Sequence, residues 1–512
     1  MLALIALVLY AGCAEDPAEV NDDDADVQPP GPVDEFSAEA QPGKIVLSWE
    51  TPDPDEEKRN RDYKGVLILR AQEGIPDGIP LRETDYVAGE TIGTSLVVYA
   101  GRDESHEEAD LAPGVKYYYT AYSYDEVPNY GEPQLLNATP ASMVQARFSH
   151  TATLLPDGRV VLIGGVGFAG PLDTAEMFNP FTDNFTLADS RMRVPRYSHS
   201  AALLHDGRIL VTGGFEEGFT EALDTATLFD PDQMRFVALD QQMASVRALH
   251  TSTVLPDGTV LIAGGSDGAD SLCSVEVFDP ADGSFSTLEP GMSRVRASHT
   301  STGYFDGQGE YKVLLAGGYD GEQSIDAAEI FDFMTWTFGG FDGQAGGVGN
   351  LAESRLAHSA DPVSIDGEQA VLLCGGFLGN DLTGAPTTGC ELFFPLPGSS
   401  GRVEQTGSMG VGRTGHGSSL LPDGSVVIAG GIDARLEILD SAEVFDPITG
   451  LFYDVGALTD GRTVHRLTLL PDERVLVSGG NGSGNLLDPM PVSRAEAYDP
   501  SSAQFAIVGA GD

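Results

Sequence analysis

The residues best equipped for chemistry in this 512-residue chain come in matched sets. An Arg-x-x-His motif recurs seven times, as Arg147/His150, Arg196/His199, Arg247/His250, Arg296/His299, Arg355/His358, Arg413/His416 and Arg462/His465. A histidine near a cation could act as a general base or a metal ligand. A catalytic site, however, needs different groups in different roles, and so must break any repeat. A residue present in every copy does one job in every copy. These arginines and histidines are therefore read as structural, the histidines packing and hydrogen-bonding inside the fold. A glutamate follows at a matching place in six copies (Glu176, Glu276, Glu329, Glu391, Glu443 and Glu496), with Thr227 in the second. That pattern predicts an Arg–Glu ion pair in six copies and none in the second.

Other chemistry is sparse. The chain has four cysteines, without a Cys-x-x-Cys or a Cys/His cluster at zinc spacing. Cys374 and Cys390 could face each other across a hairpin, either as a disulfide or as two free thiols. No Ser/His/Asp order, nucleotide loop or paired-carboxylate motif stands out. No catalytic residue, metal or cofactor is expected, and the chain is read as a non-enzyme. The alternative is an enzyme with an unrecognised site among the variable loops described below.

The elements that must position these residues are themselves repeats. Gly-Gly pairs begin at Gly164, Gly213, Gly264, Gly317, Gly375, Gly430 and Gly479, spaced 49 to 58 residues apart. Each unit carries Arg-x-x-His, a turn, an apolar run, Gly-Gly, and then a segment such as VEVFDPADGSF or AEVFDPITGLF. This resembles the kelch family, whose period it shares, and seven copies imply a seven-bladed β-propeller over residues 147–512. Small residues after each His (Thr151, Ala152, Thr153) suit inner strands crowding an axis where bulk has no room. The second strand, Val160 to Ile163, is continuously apolar, as expected when neighbours cover both faces. Gly-Gly ends it where no side chain fits, and Asp-Pro makes the next turn. The last unit ends on its own fourth strand, QFAIVG, so the ring should close without exchanging a strand. Phe333, Phe394 and the glycine-rich link 339–350 predict irregularity in the fourth and fifth units, with no blade missing.

Kelch-like propellers include copper-radical oxidases, whose site the resemblance would place on a Tyr-His dipeptide, a Cys–Tyr cross-link and a second His. This chain has no Tyr-His dipeptide, and the one propeller His outside the repeat is His205, in a turn. A copper site is not expected.

Residues 33–140 alternate with period two between turn signals. KIVLSWE places Ile45, Leu47 and Trp49 on one face, GVLILR repeats the pattern, and LAPGVKY (Leu111 to Tyr117) resembles a tyrosine corner. The segment resembles a fibronectin type III domain. The fold class expected is all-β, a fibronectin type III-like β-sandwich followed by the seven-bladed kelch-type propeller.

Upstream, MLALIALVLYAGC has signal-peptide length, and LYAGC resembles a bacterial lipobox that would be cut before Cys13 and lipidated there. Tyr10 and the lack of a preceding Lys or Arg depart from that pattern, and an ordinary secretory signal over residues 1–12 is the alternative. Residues 13–32 are acidic and Pro-rich and read as a disordered tether. The expected location is the cell envelope, at the outer membrane or cell surface, with the lipid as the membrane contact.

The formal charge of −50 disfavours nucleic acid, whose phosphates it would repel. Basic residues are 23 Arg against 5 Lys. One end of the propeller should consist of near-identical turns, and the other of variable loops: 215–225, 377–389, 432–441 and 481–494. Loops released from a repeat are where a propeller specialises. The candidate binding residues are Glu216, Glu217, Asp267, Asp320, Asp381, Asp433 and Asp488, and their charge favours a basic or cationic protein or glycan partner. The function expected is a binding or adhesion module.

Overall fold

Alternating and continuous apolar runs give strands throughout, and in the computed structural model no described residue is helical. The structure describes residues 29–41, 44–52, 63–72, 74–109, 111, 116–138, 142–218, 220–339, 350–379, 384–396, 400–483 and 489–509. Cys13, the tether up to residue 28, Asp381 and Asp488 lie outside them. The chain divides into two units, the second beginning at Ala141.

In the first unit, Asp34–Gln41, Lys44–Glu50 and Ser105–Glu108 form one sheet. A second, antiparallel sheet orders Thr91–Ile92, Ser95–Gly101, Tyr63–Ala71, Tyr117–Asp125 and Gln134–Ala138. Ile45, Leu47 and Trp49 pack on Val66, Ile68, Tyr117 and Tyr119, and the Trp49 and Tyr99 rings sit 5.1 Å apart. The other face of the second sheet is a second apolar cluster, with Leu67, Leu69, Val97, Tyr122 and Tyr124 buried against Ile92. The segment around Gly78 to Ile92 crosses that face, and Tyr122 donates to the Gly78 carbonyl. Tyr117 is buried in the main core, while residues 112–115 upstream of it lie outside the described residues.

The second unit contains seven four-stranded antiparallel sheets among the described residues, each built from strands in chain order, with a two-stranded ribbon inserted in the first (Val166–Gly167 with Gly170–Pro171) and the fifth (Phe377–Leu378 with Ala385–Pro386). In the first, Thr151–Leu154 pairs with Val160–Ile163, then Ala175–Asn179, then Asn184–Leu187. The seventh repeats this with Arg466–Leu469, Val475–Ser478, Ala495–Asp499 and Gln504–Val508. Inner strands of successive sheets pack on one another, and the seventh packs on the first. The units are therefore arranged in a closed ring. Apolar clusters such as Val161, Ile163, Met177, Ile209, Val211 and Phe229 lie between consecutive sheets, so each second strand is covered on both faces.

Two devices close the ring. Around the axis, each residue two past the repeated Arg donates its N–H to the equivalent carbonyl of the preceding unit. The cycle runs Ser198 to Ser149, Leu249 to Ser198, Ser298 to Leu249, Ala357 to Ser298, Gly415 to Ala357, Val464 to Gly415 and Ser149 to Val464. All seven have left-handed backbone, with φ of 48° to 63°. At the periphery, Met143 donates to the Ser493 carbonyl at 2.9 Å, and the Ser142 hydroxyl accepts the Ala495 N–H at 2.6 Å. Met143 belongs to a set that sequence reading did not single out: Met192, Met243, Met292, Leu351, Met409 and Leu458 make the equivalent bond. An apolar residue four before each repeated Arg was its signal.

The Gly-Gly pair has a steric cause. A Cβ on Gly164 (φ 58°) would lie 2.5 Å from the Arg196 carbonyl and 2.8 Å from the His199 ring of the next unit. A Cβ on Gly165 would lie 2.9 Å from His150 Cβ. The dipeptide is the surface on which two histidines of adjacent units pack.

The fourth and fifth sheets keep four strands each. Asp332 Oδ1 still accepts the Met334 N–H, so its turn forms without a proline, and Phe333 packs on Trp336. Residues 340–349 lie outside the described residues. Cys374 and Cys390 stand directly opposite in register and are joined as a disulfide. Cys273 is free and exposed.

Candidate functional site

The repeated Arg precedes the inner strand and the Glu is near the start of the third strand, so both lie at one end of each sheet. That end also carries the loops after Gly-Gly, because Ile163 pairs with Thr151. Arg147 Nη2 reaches Glu176 at 2.6 Å, Arg247 reaches Glu276 at 2.7 Å, and Arg296 reaches Glu329 at 2.8 Å. Arg355 reaches Glu391 at 2.5 Å, Arg413 reaches Glu443 at 2.8 Å, and Arg462 pairs with Glu496. The six expected pairs are thus present. The second sheet, with Thr227, has none among the described residues; Arg196 instead donates to the Thr225 hydroxyl at 3.0 Å.

The pair does more than neutralise charge. Each Arg Nη1 also donates to the carbonyl of the first Gly, as from Arg247 to Gly264 at 2.7 Å. Each Glu also accepts backbone N–H bonds from the segment before the Arg. For Glu276 these come from Ala244 (2.7 Å) and Ser245 (3.2 Å). Arg, Glu and Gly-Gly therefore form one fastening, and all six arginines are fully buried.

The repeated histidines are neutral, six of them buried and His416 half-buried. Burial first, and the neighbouring Arg second, hold their pKa values well below the ordinary 6.5, with His416 down to about 3. Five rings meet a hydroxyl of the preceding unit through Nε2: His199 with Thr151, His250 with Thr212, His299 with Thr251, His358 with Thr300, and His150 with Ser478. His205 lies away from them, in a turn at the opposite end, beside Gly258.

On the axis, at the loop-bearing end, the inner strands surround a pocket of about 460 Å³. Ser149, Ser198, Ser298, Thr151 and Thr251 line it with hydroxyls. Arg466 breaks the symmetry. It occupies the place of Thr151, Ser200, Thr251, Thr300, Ser359 and Gly417, and its Nε donates to the His150 carbonyl at 2.9 Å. The expectation that bulk has no room at the axis fails here, because the open pocket admits one long side chain. An Arg in place of a small residue directly after His465 was the overlooked signal. Asp361 is a second departure, in the fifth inner strand where other units have Thr, Ala or Ser. Its buried carboxyl is pushed up to about 6 by desolvation.

The loop acids divide by role. Glu216 and Glu217 are exposed. Asp267 Oδ1 accepts the N–H groups of Ala269 and Asp270, Asp320 those of Glu322 and Gln323, and Asp433 those of Arg435 and Glu437, all at 2.8 or 2.9 Å. These three carboxylates shape their own loops. Adjacent loops also interlock, since Ser324 and Gly379 exchange two hydrogen bonds.

Against known proteins, the Kelch motif matches residues 247–292, a stretch from Arg247 through Gly264-Gly265 and Glu276 to Met292. A solved structure described as a novel fungal alcohol oxidase with catalytic diversity among the AA5 family, in complex with copper, is 18% identical. It covers 71% of this chain and 77% of its own, with a TM-score of 0.55. The structure of YjhT is 16% identical, covering 61% of this chain and 99% of its own, with a TM-score of 0.45. No curated protein matches. The motif and the likeness of fold support a kelch-repeat β-propeller. Among the described residues, no group of three or more His, Cys, Asp or Glu is placed to hold one metal ion. The axial pocket lining also includes neither tyrosine nor cysteine. This donor set does not fit a copper centre, and no chemistry through one is assigned to this chain.

Proposed function

We propose that this protein is an exported, lipid-anchored component of the cell envelope. Its seven-bladed kelch propeller, preceded in sequence by a fibronectin type III-like sandwich, recognises a protein or glycan. One observation carries the reading: the two ends of the ring differ. One end repeats Asp-containing turns of nearly constant geometry, as at Asp157, Asp206, Asp257 and Asp423. The other end carries the described parts of the variable loops, beside the axial pocket. Exposed Glu216, Glu217, Asp270 and Glu322 make that rim acidic, which favours a basic partner.

Screening the full chain on glycan and peptide arrays identifies the ligand class. Replacing 377–389 with the shorter 266–274 loop should then weaken binding by at least about tenfold, ~1.4 kcal/mol. The thermal midpoint should change little, because long surface loops cost little closure entropy. Affinity for a basic partner should fall as salt rises past ~0.15 M, where screening reaches about 8 Å. Salt-independent binding that tolerates the graft would move the site away from this face.

The anchor rests on LYAGC. Fatty-acid labelling of wild type, lost in Cys13→Ala, is the expected result; an unlabelled wild-type protein in the soluble fraction would refute it.

A further inference from the structure

In six sheets the third-strand glutamate collects an Arg Nη2 and backbone N–H groups from the segment before that Arg. In the second sheet Thr227 holds the same register place, opposite Val211 as Glu276 is opposite Ile262. Its hydroxyl turns away to the Val237 carbonyl at 2.9 Å. Arg196 keeps its bonds to the Gly213 carbonyl (2.7 Å), the Thr225 carbonyl (3.0 Å) and the Thr225 hydroxyl (3.0 Å), but no carboxylate reaches it. The backbone N–H groups of Arg193 and Val194, equivalent to those of Ala244 and Ser245, lose their acceptor.

Where that side chain would lie there is a cleft of about 480 Å³. Arg196 and Thr227 line it with Arg191, Arg193, Phe236 and Gln242. Three of the 23 arginines of a chain with net charge −50 therefore converge on one cleft. The carboxylates nearby leave Arg196 unpaired. Asp173 is taken by Arg191 at 2.9 Å, Asp240 lines the cleft without pairing to Arg196, and Glu216 acts on Arg196 only through space.

We propose that this cleft binds a small organic carboxylate, whose carboxylate group takes the place of the missing glutamate. The other six sheets show what this arrangement accepts: each has a carboxylate there. A guanidinium fork matches a carboxylate geometrically and strongly. A buried cation without its partner is costly, so a ligand that supplies the partner gains what the chain lacks. Burial pushes the Arg196 pKa down to about 10, which leaves it charged near neutrality and poorly compensated. The volume suits a monosaccharide-sized body, with Phe236 as an apolar wall and Gln242 for hydroxyls. The site is local to the second sheet and independent of the rim's preference for a basic partner.

Titration calorimetry on the full chain, with acetate and glucuronate as probes and glucose as the uncharged match, tests this. Wild type should bind glucuronate, acetate more weakly, and glucose not at all. Thr227→Glu should complete a seventh ion pair, raising the thermal midpoint without ligand and weakening glucuronate at least about tenfold. Arg191→Ala/Arg193→Ala, changed at exposed positions, should weaken it several-fold with the fold intact, and decides the matter if Thr227→Glu does not fold. Binding that is unchanged in either variant, or the absence of any carboxylate binding by wild type, overturns the proposal.

Discussion

Lowering the pH from 7.5 to 5 should unfold the propeller. Seven repeated histidines are held neutral, with folded pKa values below the unfolded value near 6.5. The unfolded chain therefore binds more protons, and stability that is full above pH ~6.5 falls as the pH drops toward the folded values. Each histidine contributes a slope of up to ~1.4 kcal/mol per pH unit, and seven together approach roughly 10 kcal/mol per unit. A folded domain has only about 5–15 kcal/mol to lose. Asp361, at about 6, opposes the trend by favouring its protonated folded form, but it is one group against seven. Carboxylates depressed by hydrogen bonds, such as Asp157 and Asp206, act in the same direction only below about pH 4. With Trp49→Phe silencing the first unit, Trp336 fluorescence in urea at several pH values reports the propeller. A urea midpoint unchanged between pH 7.5 and 5 would sink this prediction.

Glu276→Ala should cost about 3–5 kcal/mol, the usual penalty for stranding one partner of a buried ion pair. The substitution leaves the Arg247 guanidinium fully buried and removes the acceptor of the Ala244 and Ser245 N–H groups. Ser274 Oγ, at 3.2 Å from Nη2, offers only a weak neutral substitute. The second sheet supplies the control. Thr227→Ala loses one hydroxyl bond to the Val237 carbonyl, worth about 1 kcal/mol. Denaturant midpoints read from Trp336 in the same Trp49→Phe background should rank the two variants in that order. Equal costs would mean that the fastening contributes nothing beyond packing.

The repeat made much of this legible in sequence. Seven copies in register reveal the strands, the crowding at Gly-Gly, the Arg–Glu pairs and their one exception at Thr227, because each recurs at a fixed place in every unit. The reading of the histidines as packing and hydrogen-bonding groups came from the same symmetry, while their neutral state follows from a burial that only the structure shows. What the sequence could not decide were relations that a unit does not contain. Ring closure joins Ser149 to Val464 and Met143 to Ser493, residues separated by most of the propeller, through backbone groups that every residue carries. Arg466 reads as one arginine among 23 until the inner strands gather and place it in the axial pocket. Both faces of Tyr63–Ala71 are buried because the segment reaching Ile92 folds over one of them. The cleft beside Thr227 is a missing side chain among groups brought together from Arg191 to Gln242. A period records what each unit contains; empty space between side chains exists only after they have packed.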